Sequence, residues 1–569
     1  MQRSARGIAD GPADIGATAA GQQGRPSAAR RRSDHWIVLA LFVAAVAVRL
    51  GVVWSSGGLK ALNGYDDGVY FSATAGLLHG LVPYRDFVLL HPPGMLVLGA
   101  GPMAAAFALG LTDSDTLALM RVVFVCLGGV NTVLVFFAAR HLSRAAGVVA
   151  ACLYAVWGPA VREERTMLLE ALVILGTVTA LALVPAVSNR DVSGRWCPVL
   201  AGVVGGLAVS TKLWAVVPLL VIVGSLFVVG QWRRALAYGS TVAATALVIV
   251  APFLALAPSQ MWHMVVAAQA DRPERGENRL ARFAEMADLS AWPFSVLVDP
   301  GVPTRPVDPN AALTAFFATG RGAAFTVGMV LLVALVAVLV AVRLPPARTW
   351  VALVALQSAV LLATPIFFSG YASFVAPAAV LLVGAAGHLV WTSQAVSALP
   401  VLRRAVGATA ALGLVLTGWG AVLTDRGAPI RPSLVPVVAQ ARCVASDSPA
   451  AIVLSDRLSA NLRNGCPAVF DFSGVVYTVE REGAGPIGPT RLREESREFQ
   501  AFVRDYFGGA DYVILRRRTR TGLSPDTLRL VQSRPLLRSR YPRVYGPWGG
   551  TAVELPGAEQ DSVETDDES

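Results

Sequence analysis

From residue 36 to residue 423 the chain alternates apolar runs of bilayer-spanning length with short polar connections, which is the pattern of a polytopic helical membrane protein. The first run is Trp36–Trp54; others lie near 116–139, 145–161, 167–187, 198–211, 213–230, 235–257, 323–342, 349–367, 371–391 and 405–423, eleven in all. Residues 1–34 are Gly, Ala, Arg and polar without periodicity, and predict a disordered tail. The basic flank and apolar core of the first run would suit a signal peptide. With no convincing small-x-small cleavage site and so many runs following, an uncleaved helix is expected. After Leu423 the pattern changes. AIVLSD (451–456), AVFDF (468–472) and DYVILR (511–516) predict short buried strands, and 433–444 and 493–507 predict helices. Their alternation predicts a small α/β domain over 424–556, followed by an acidic disordered tail over 557–569. No internal repeat of fixed period is present.

The connections give the orientation. Arginines cluster at Arg30–Arg32, Arg140 with Arg144, Arg190 with Arg195, Arg233 with Arg234, Arg343 with Arg348, and Arg403 with Arg404. Two runs separate each cluster from the next, so all six can lie on one side, and the positive-inside rule makes that side the cytoplasm. A further crossing by the apolar segment Met95–Leu111 would invert every later loop, so that segment reads as an interfacial or re-entrant helix on the outer face. The same parity places Asp66, Asp67, Asp86, His91, Glu163, Glu164, Glu170 and Lys212 outside, with the loop 258–322 and everything after Leu423.

Composition supports the class. The chain of 569 residues is 54% apolar and 15% charged, against about 25% charged in soluble domains. Its net charge of +10 comes almost wholly from arginine, the only lysines being Lys60 and Lys212. The arginines stand singly or in pairs between apolar runs without an aromatic-interleaved basic face, which argues against a nucleic-acid partner. Cys126, Cys152 and Cys197 fall in or beside apolar runs and read as packing residues. Cys443 and Cys466, 23 positions apart in the polar part, could pair in an oxidising compartment, and no metal-binding Cys/His spacing occurs.

The densest chemistry lies in Gly64–Gly94, GYDDGVYFSATAGLLHGLVPYRDFVLLHPPG. Acids held beside a bilayer are costly and tend to mark function. Asp66 or Asp67 could act as a base toward a hydroxyl, while Lys212, His91 and the loop arginines Arg272, Arg275 and Arg279 could stabilise a leaving phosphate. The adjacent pair could also hold a divalent cation such as magnesium or manganese. Plainer readings compete. DDG suits a turn with Gly68 supplying positive φ, Glu163, Glu164 and Glu170 could cap the next helix, and PYRDF could be an Arg85–Asp86 pair. HPPG could simply start a helix, the loop arginines could be solvated or bind headgroups, and Arg49 is expected to snorkel toward the interface.

A first span followed by DDGVY, then PYRDF, then HPPG opening an interfacial helix resembles the GT-C superfamily of membrane glycosyltransferases, nearest to its protein O-mannosyltransferase and aminoarabinose-transferase branch and to actinobacterial envelope relatives. The resemblance covers about residues 35–425. It implies a GT-C-like bundle of about eleven spans with interfacial helices in the first outer loop, beside the small extracytoplasmic domain. The acidic motif of that superfamily matches Asp66-Asp67, its later acid matches Glu170 in LLEALVIL with Glu163 and Glu164 as rivals, and its TK stretch matches Lys212 in GGLAVSTKLWAVVPLL. The pair here is Asp-Asp where the superfamily often has Asp-Glu, and Leu90-His91-Pro92-Pro93 stands where one branch has Glu-Lys-Pro-Pro.

What the resemblance implies is a transferase moving a sugar from a polyprenyl-phosphate donor to an envelope glycan, lipid or protein hydroxyl, on the outer face of a bacterial plasma membrane. In that role Asp66 and Asp67 are the candidate catalytic acids. Glu170, Glu164, Asp86 and Tyr70 would position acceptor or cation, and Lys212, His91 and Arg272 would hold the lipid phosphate. The rival reading is a transporter or flippase for a lipid-linked envelope precursor, against which stand the gathering of acids on one face and the lack of repeated halves.

Overall fold

The structure is a computed structural model that describes residues 28–62, 64–185, 194–270, 272, 279–287, 320–393, 428–429, 434–479, 489–516, 522–538 and 542–548. The expected span 405–423, the acidic tail and Arg190, Arg275, Arg403 and Arg404 lie outside them. The chain forms two compact units, Met1–Ala40 and Leu41–Ser569. The described part of the first is the opening of helix α1 (Ala28–Ser55). The second holds all the rest.

Helices follow the apolar runs closely: α4 (Asp113–Ala139), α5 (Arg144–Val156), α7 (Leu169–Leu183), α8 (Cys197–Val209), α9 (Val216–Val228), α10 (Trp232–Leu256), then Gly320–Arg343, Arg348–Ala363 and Ala376–Thr392. Among the described residues, four helices are long and apolar enough to cross a membrane. The run expected to be continuous over 145–161 is broken, because Gly158-Pro159 interrupts the ladder at Trp157 and starts the short α6 (Gly158–Glu163). Of the first loop, α2 (Asp66–Leu78) and α3 (Gly94–Ala108) are both helical. The DDG triplet is therefore no turn; it opens α2.

Arg49 does not snorkel. It is fully buried, and its guanidinium pairs with Glu164 of the α6–α7 connection. Glu164 also accepts from Tyr154 Oη (2.7 Å) and Asn131 Nδ2 (2.6 Å), so three segments are tied through one carboxylate. Two opposite charges with every lone pair occupied survive in an apolar core where either alone would not.

The C-terminal part, within the same compact unit as the helices, carries a four-stranded sheet flanked by short helices. Strands β3 (Val444–Ser446), β4 (Tyr512–Leu515), β5 (Leu536–Arg538) and β6 (Arg543–Tyr545) are ordered β3-β4-β6-β5, with β3 parallel to β4 and the other pairs antiparallel. A two-residue ladder between β1 (Ala61–Leu62) and β2 (Ala428–Pro429) joins this part to the end of the first span. DYVILR holds β4 as expected, and 493–507 is helical in two pieces, Pro489–Glu495 and Arg497–Gly508. Helix replaces strand at AIVLSD: Pro449 sits in the first turn of Pro449–Leu454, whose six residues are all buried, so no polar face was there to reveal the period. AVFDF pairs with no strand. Its alternation is real, but Phe470 packs into one core and Phe472 into another, so the segment bridges two clusters. Of the described residues in the expected helix 433–444, those of Leu434–Val438 are helical, and Val444 opens β3.

The buried helix Pro449–Leu454 wedges against α2 and α4. Gly68 allows this approach: a Cβ there would lie 2.3 Å from the Ala450 amide nitrogen. Nearby, Asp113 accepts from the Ser459 amide (2.9 Å) and hydroxyl, and the Ser114 amide donates to Asp456 (2.8 Å). The acidic start of α4 thus receives the C-terminal domain. Gly68→Ala is expected to destabilise the protein by about 1–3 kcal/mol through overpacking, and to make the C-terminal domain more susceptible to limited proteolysis. Unchanged cleavage and melting would mean the wedge yields without cost.

Candidate active site

Three separate features of the sequence build the site. Tyr65, Asp66, Asp67 and Tyr70 come from the start of α2, Glu170 from the first turn of α7, and Lys212 from the break between α8 and the turn that leads into α9. The HPPG segment fixes this last piece. The Gly94 amide donates to the Ser210 carbonyl at 2.7 Å, and a Cβ on Gly94 would fall 2.6 Å from that oxygen, so only glycine brings α3 this close to the Lys212 loop.

The adjacent aspartates have opposite fates. Asp67 is fully buried and accepts from Arg121 (2.5 Å) and Thr166 (2.8 Å), while Arg121 also donates to the Leu59 and Ala61 carbonyls at 2.6 and 2.9 Å. Burial pushes its carboxyl up, but the Arg121 guanidinium, the Thr166 hydroxyl and the charge of Arg516 together more than offset this and hold it below the ordinary range. Asp66 is paired with no cation among the described residues, and it is exposed to solvent although protein crowds around it. Crowding by protein, then Asp471 and Glu170, push it up to about 7, with Lys212 pulling the other way.

Around Asp66 the other groups are matched. Glu170 accepts from Lys212 Nζ at 2.5 Å, and that ammonium lies 4.2 Å from the Tyr371 ring and 4.6 Å from the Trp214 ring. Glu163 interacts electrostatically with Glu170, Lys212 and Asp66. Tyr70 is buried beside Asp66 and Glu170, and its hydroxyl is pushed well up by burial. The His91 ring lies 6.2 Å from that of Tyr70. Burial, then the charges of Lys212 and Arg272, push His91 well down, so at neutral pH it is an uncharged hydrogen-bonding group, not the cation expected from sequence. Arg272 lies 5.1 Å over the Tyr477 ring, and its buried Nε has no hydrogen-bond partner.

Thus Asp66, Tyr70, Glu170, Lys212, His91 and Arg272 converge. Three expected residues do not. Glu164 is spent in the core on Arg49. Asp86 forms a two-bond pair with its neighbour Arg85, both at 2.8 Å, and accepts from the Val82 amide at 2.7 Å, which closes its own turn. Arg279 is exposed at the start of a short helix. The acidic pair does not offer two free carboxylates to a cation, and among the described residues no three His, Cys, Asp or Glu side chains gather as a metal site. Cys443 and Cys466 form a disulfide with Cα atoms 5.7 Å apart.

Two groups were passed over in the sequence. Arg121, a lone charge inside an apolar span, is the usual flag of an intramembrane partner. Asp471 lies in FDFSG of the C-terminal domain, where only the interruption of an apolar segment by an acid marked it. It accepts from Tyr65 Oη at 3.0 Å and from the Gly474 amide at 2.8 Å, beside Asp66.

With this geometry established, known proteins place the fold. Residues 108–270 match the family described as dolichyl-phosphate-mannose-protein mannosyltransferase. The structure is similar to apo ArnT from Cupriavidus metallidurans, with 16% identity and a TM-score of 0.54 over 90% of this chain and 98% of that one. The fold is that of the GT-C glycosyltransferases. The GT-C likeness extends to the Archaeoglobus fulgidus oligosaccharyltransferase in complex with zinc and sulfate, at 13% identity and a TM-score of 0.51 over 84% of this chain and 67% of that one. The same archaeal enzyme tethered to an acceptor peptide by a disulfide gives 12% identity and 0.51, over 85% and 69%. Comparison of the sequence with curated proteins finds no match.

The two aspartates can be told apart without any substrate. Asp67→Asn is expected to cost about 3–5 kcal/mol at pH 7, because Arg121 is left buried without its charge partner. Asp67 has a depressed folded-state pKa, so its contribution is present above the ordinary carboxylate range and is lost as pH falls through the folded value. The difference between wild type and variant should therefore shrink on acidification, as measured by chemical unfolding at pH 7 and pH 3.

Proposed function

We propose that this protein transfers a sugar from a polyprenyl-monophosphate donor to a hydroxyl of an envelope glycan, lipid or protein, at the outer face of a bacterial plasma membrane. One observation carries the reading: of the carboxylates gathered at the site, Asp66 alone combines solvent access, no paired cation among the described contacts, and a pKa near the working pH. A base needs all three properties. The GT-C fold and the match to a mannosyltransferase family support the reaction class. The disulfide supports an oxidising compartment for the C-terminal domain, in keeping with the arginine pattern of the loops.

In the reaction, Asp66 takes the proton of the acceptor hydroxyl. That oxygen bonds to the anomeric carbon from the face opposite the phosphate, and the bond from that carbon to the phosphate oxygen breaks with inversion. The leaving phosphate keeps the electron pair and moves toward Lys212 and Arg272. Lys212 is held for this by Glu170 and by two rings, a preorganised cation whose remaining N–H groups are free to turn toward phosphate. Asp67 has no proton to move at neutral pH; with Arg121 it fixes the first turn of α2 and so the aim of Asp66.

The test is turnover of radiolabelled polyprenyl-phosphate sugars by the full-length protein in liposomes, with mannose and arabinofuranose as the first donors. Asp66→Asn is expected to lower the rate by about 10²–10⁴-fold, the usual worth of a general base. In the wild type, the rate should rise with pH through about 7 as Asp66 loses its proton. A variant at wild-type rate would remove Asp66 from this role.

A further inference from the structure

The carboxylate of Asp471 is held from one side only. Its Oδ1 accepts from Tyr65 Oη (3.0 Å), the Gly474 amide (2.8 Å) and the Ser473 hydroxyl (3.4 Å), and the Ser473 amide donates to Tyr65 Oη at 2.7 Å. Two of these contacts close the 471–474 turn on itself and two tie it to Tyr65, the residue that precedes Asp66. Its Oδ2 accepts no hydrogen bond among the described residues. A carboxylate so firmly placed, with one oxygen not hydrogen-bonded among the described residues, can receive a donor from elsewhere. Arg272 acts on Asp471 through its charge and is stacked over Tyr477 of the same C-terminal segment, and the buried Nε of that arginine also lacks a partner. An unused acceptor and an unused donor thus lie within electrostatic reach of each other, with Tyr65 bonded to the acid and Tyr477 under the arginine.

We infer that Asp471 and Arg272 form a subsite for a polyhydroxylated ligand, in which Asp471 Oδ2 accepts a hydrogen bond from a sugar hydroxyl and so positions the acceptor beside Asp66. Sugar rings suit such a place, since they offer adjacent hydroxyls that donate to a carboxylate and accept from an arginine, and an apolar face that packs on tyrosine. This rests on the transferase reading for the direction of the chemistry, though the binding does not require it. Asp471 is a positioning residue here. It has a second effect through charge: Asp66 faces Asp471, Glu170, Asp67, Glu163 and Tyr70, with Lys212 pulling the other way, and after crowding Asp471 does most to keep the Asp66 proton on.

Asp471→Asn is the informative change. It keeps an oxygen for the Oδ1 contacts and places an amide donor where the open acceptor was. In one arm, thermal unfolding of the full-length wild type, D471N, D66N and the double variant is followed from pH 5 to 8.5 in nanodiscs. Asp66 has a raised folded pKa, so stability should fall as pH rises toward about 7. That fall should be smaller in each single variant, and the two substitutions together should do less than their sum; additive effects would overturn the charge coupling of the two acids. In the other arm, octyl α-mannoside and octyl α-arabinofuranoside are titrated against wild type and D471N. Loss of a hydrogen bond to a charged group predicts about tenfold weaker binding of at least one glycoside in D471N. Equal binding, or none by the wild type, would overturn the subsite. Tyr65→Phe, which removes one of the bonds at Oδ1, should weaken glycoside binding less than D471N does. If glycosides bind as expected but no donor turns over in wild type, the transferase reading fails and the subsite stands.

Discussion

A carboxylate held in a low-dielectric site must find a cation or keep a proton. Asp67 finds Arg121, Glu164 finds Arg49 and Glu170 finds Lys212. Asp66 is left with neither in full. The layout of the site follows from this matching, because each ion pair also ties together segments distant in sequence: α2 to α4, α1 to the α6–α7 connection, and α7 to the α8–α9 break. Burial makes these pairs obligatory, since removing one partner strands the other. A reactive acid can persist among them because its neighbours are so firmly neutralised. What remains at Asp66 is a local excess of negative charge that one lysine only partly balances.

Much of this was legible along the chain. The apolar runs placed the helices, and the DDGVY, HPPG and TK segments led to Asp66, His91 and Lys212, which the fold does bring together. Their legibility has a common cause: a charge or a proline next to a membrane span is rarely neutral in its effect, so each stands out. The ranking of Asp66 against Asp67 was hidden because it depends on Arg121 and Thr166, which approach from 54 and 99 positions away. Glu164 stood as a rival to Glu170 for the same reason. Six positions apart, one turns to Arg49 in the core and the other to Lys212 at the site, and no local pattern distinguishes them.

The C-terminal domain was harder to read. Short segments buried on all sides, such as Pro449–Leu454, carry no polar face and so no period, and the three-residue strands β3, β5 and β6 are too brief for alternation to register. Gly68 was misread in an instructive way. Glycine after two aspartates suggests a turn, yet its value here is the absent side chain, which lets the Ala450 backbone touch the helix that bears the acids. The sequence signal for a close approach and that for a turn are the same letter.

That contact bears on how the molecule matures. Tyr65 and Asp471 are 406 positions apart, and Ala450 lies almost as far from Gly68. At about 5–20 residues per second of synthesis, the first acids wait roughly 20–80 s for the segments that complete their surroundings. The surroundings of the first acids are thus complete only once the last quarter of the polypeptide has been made.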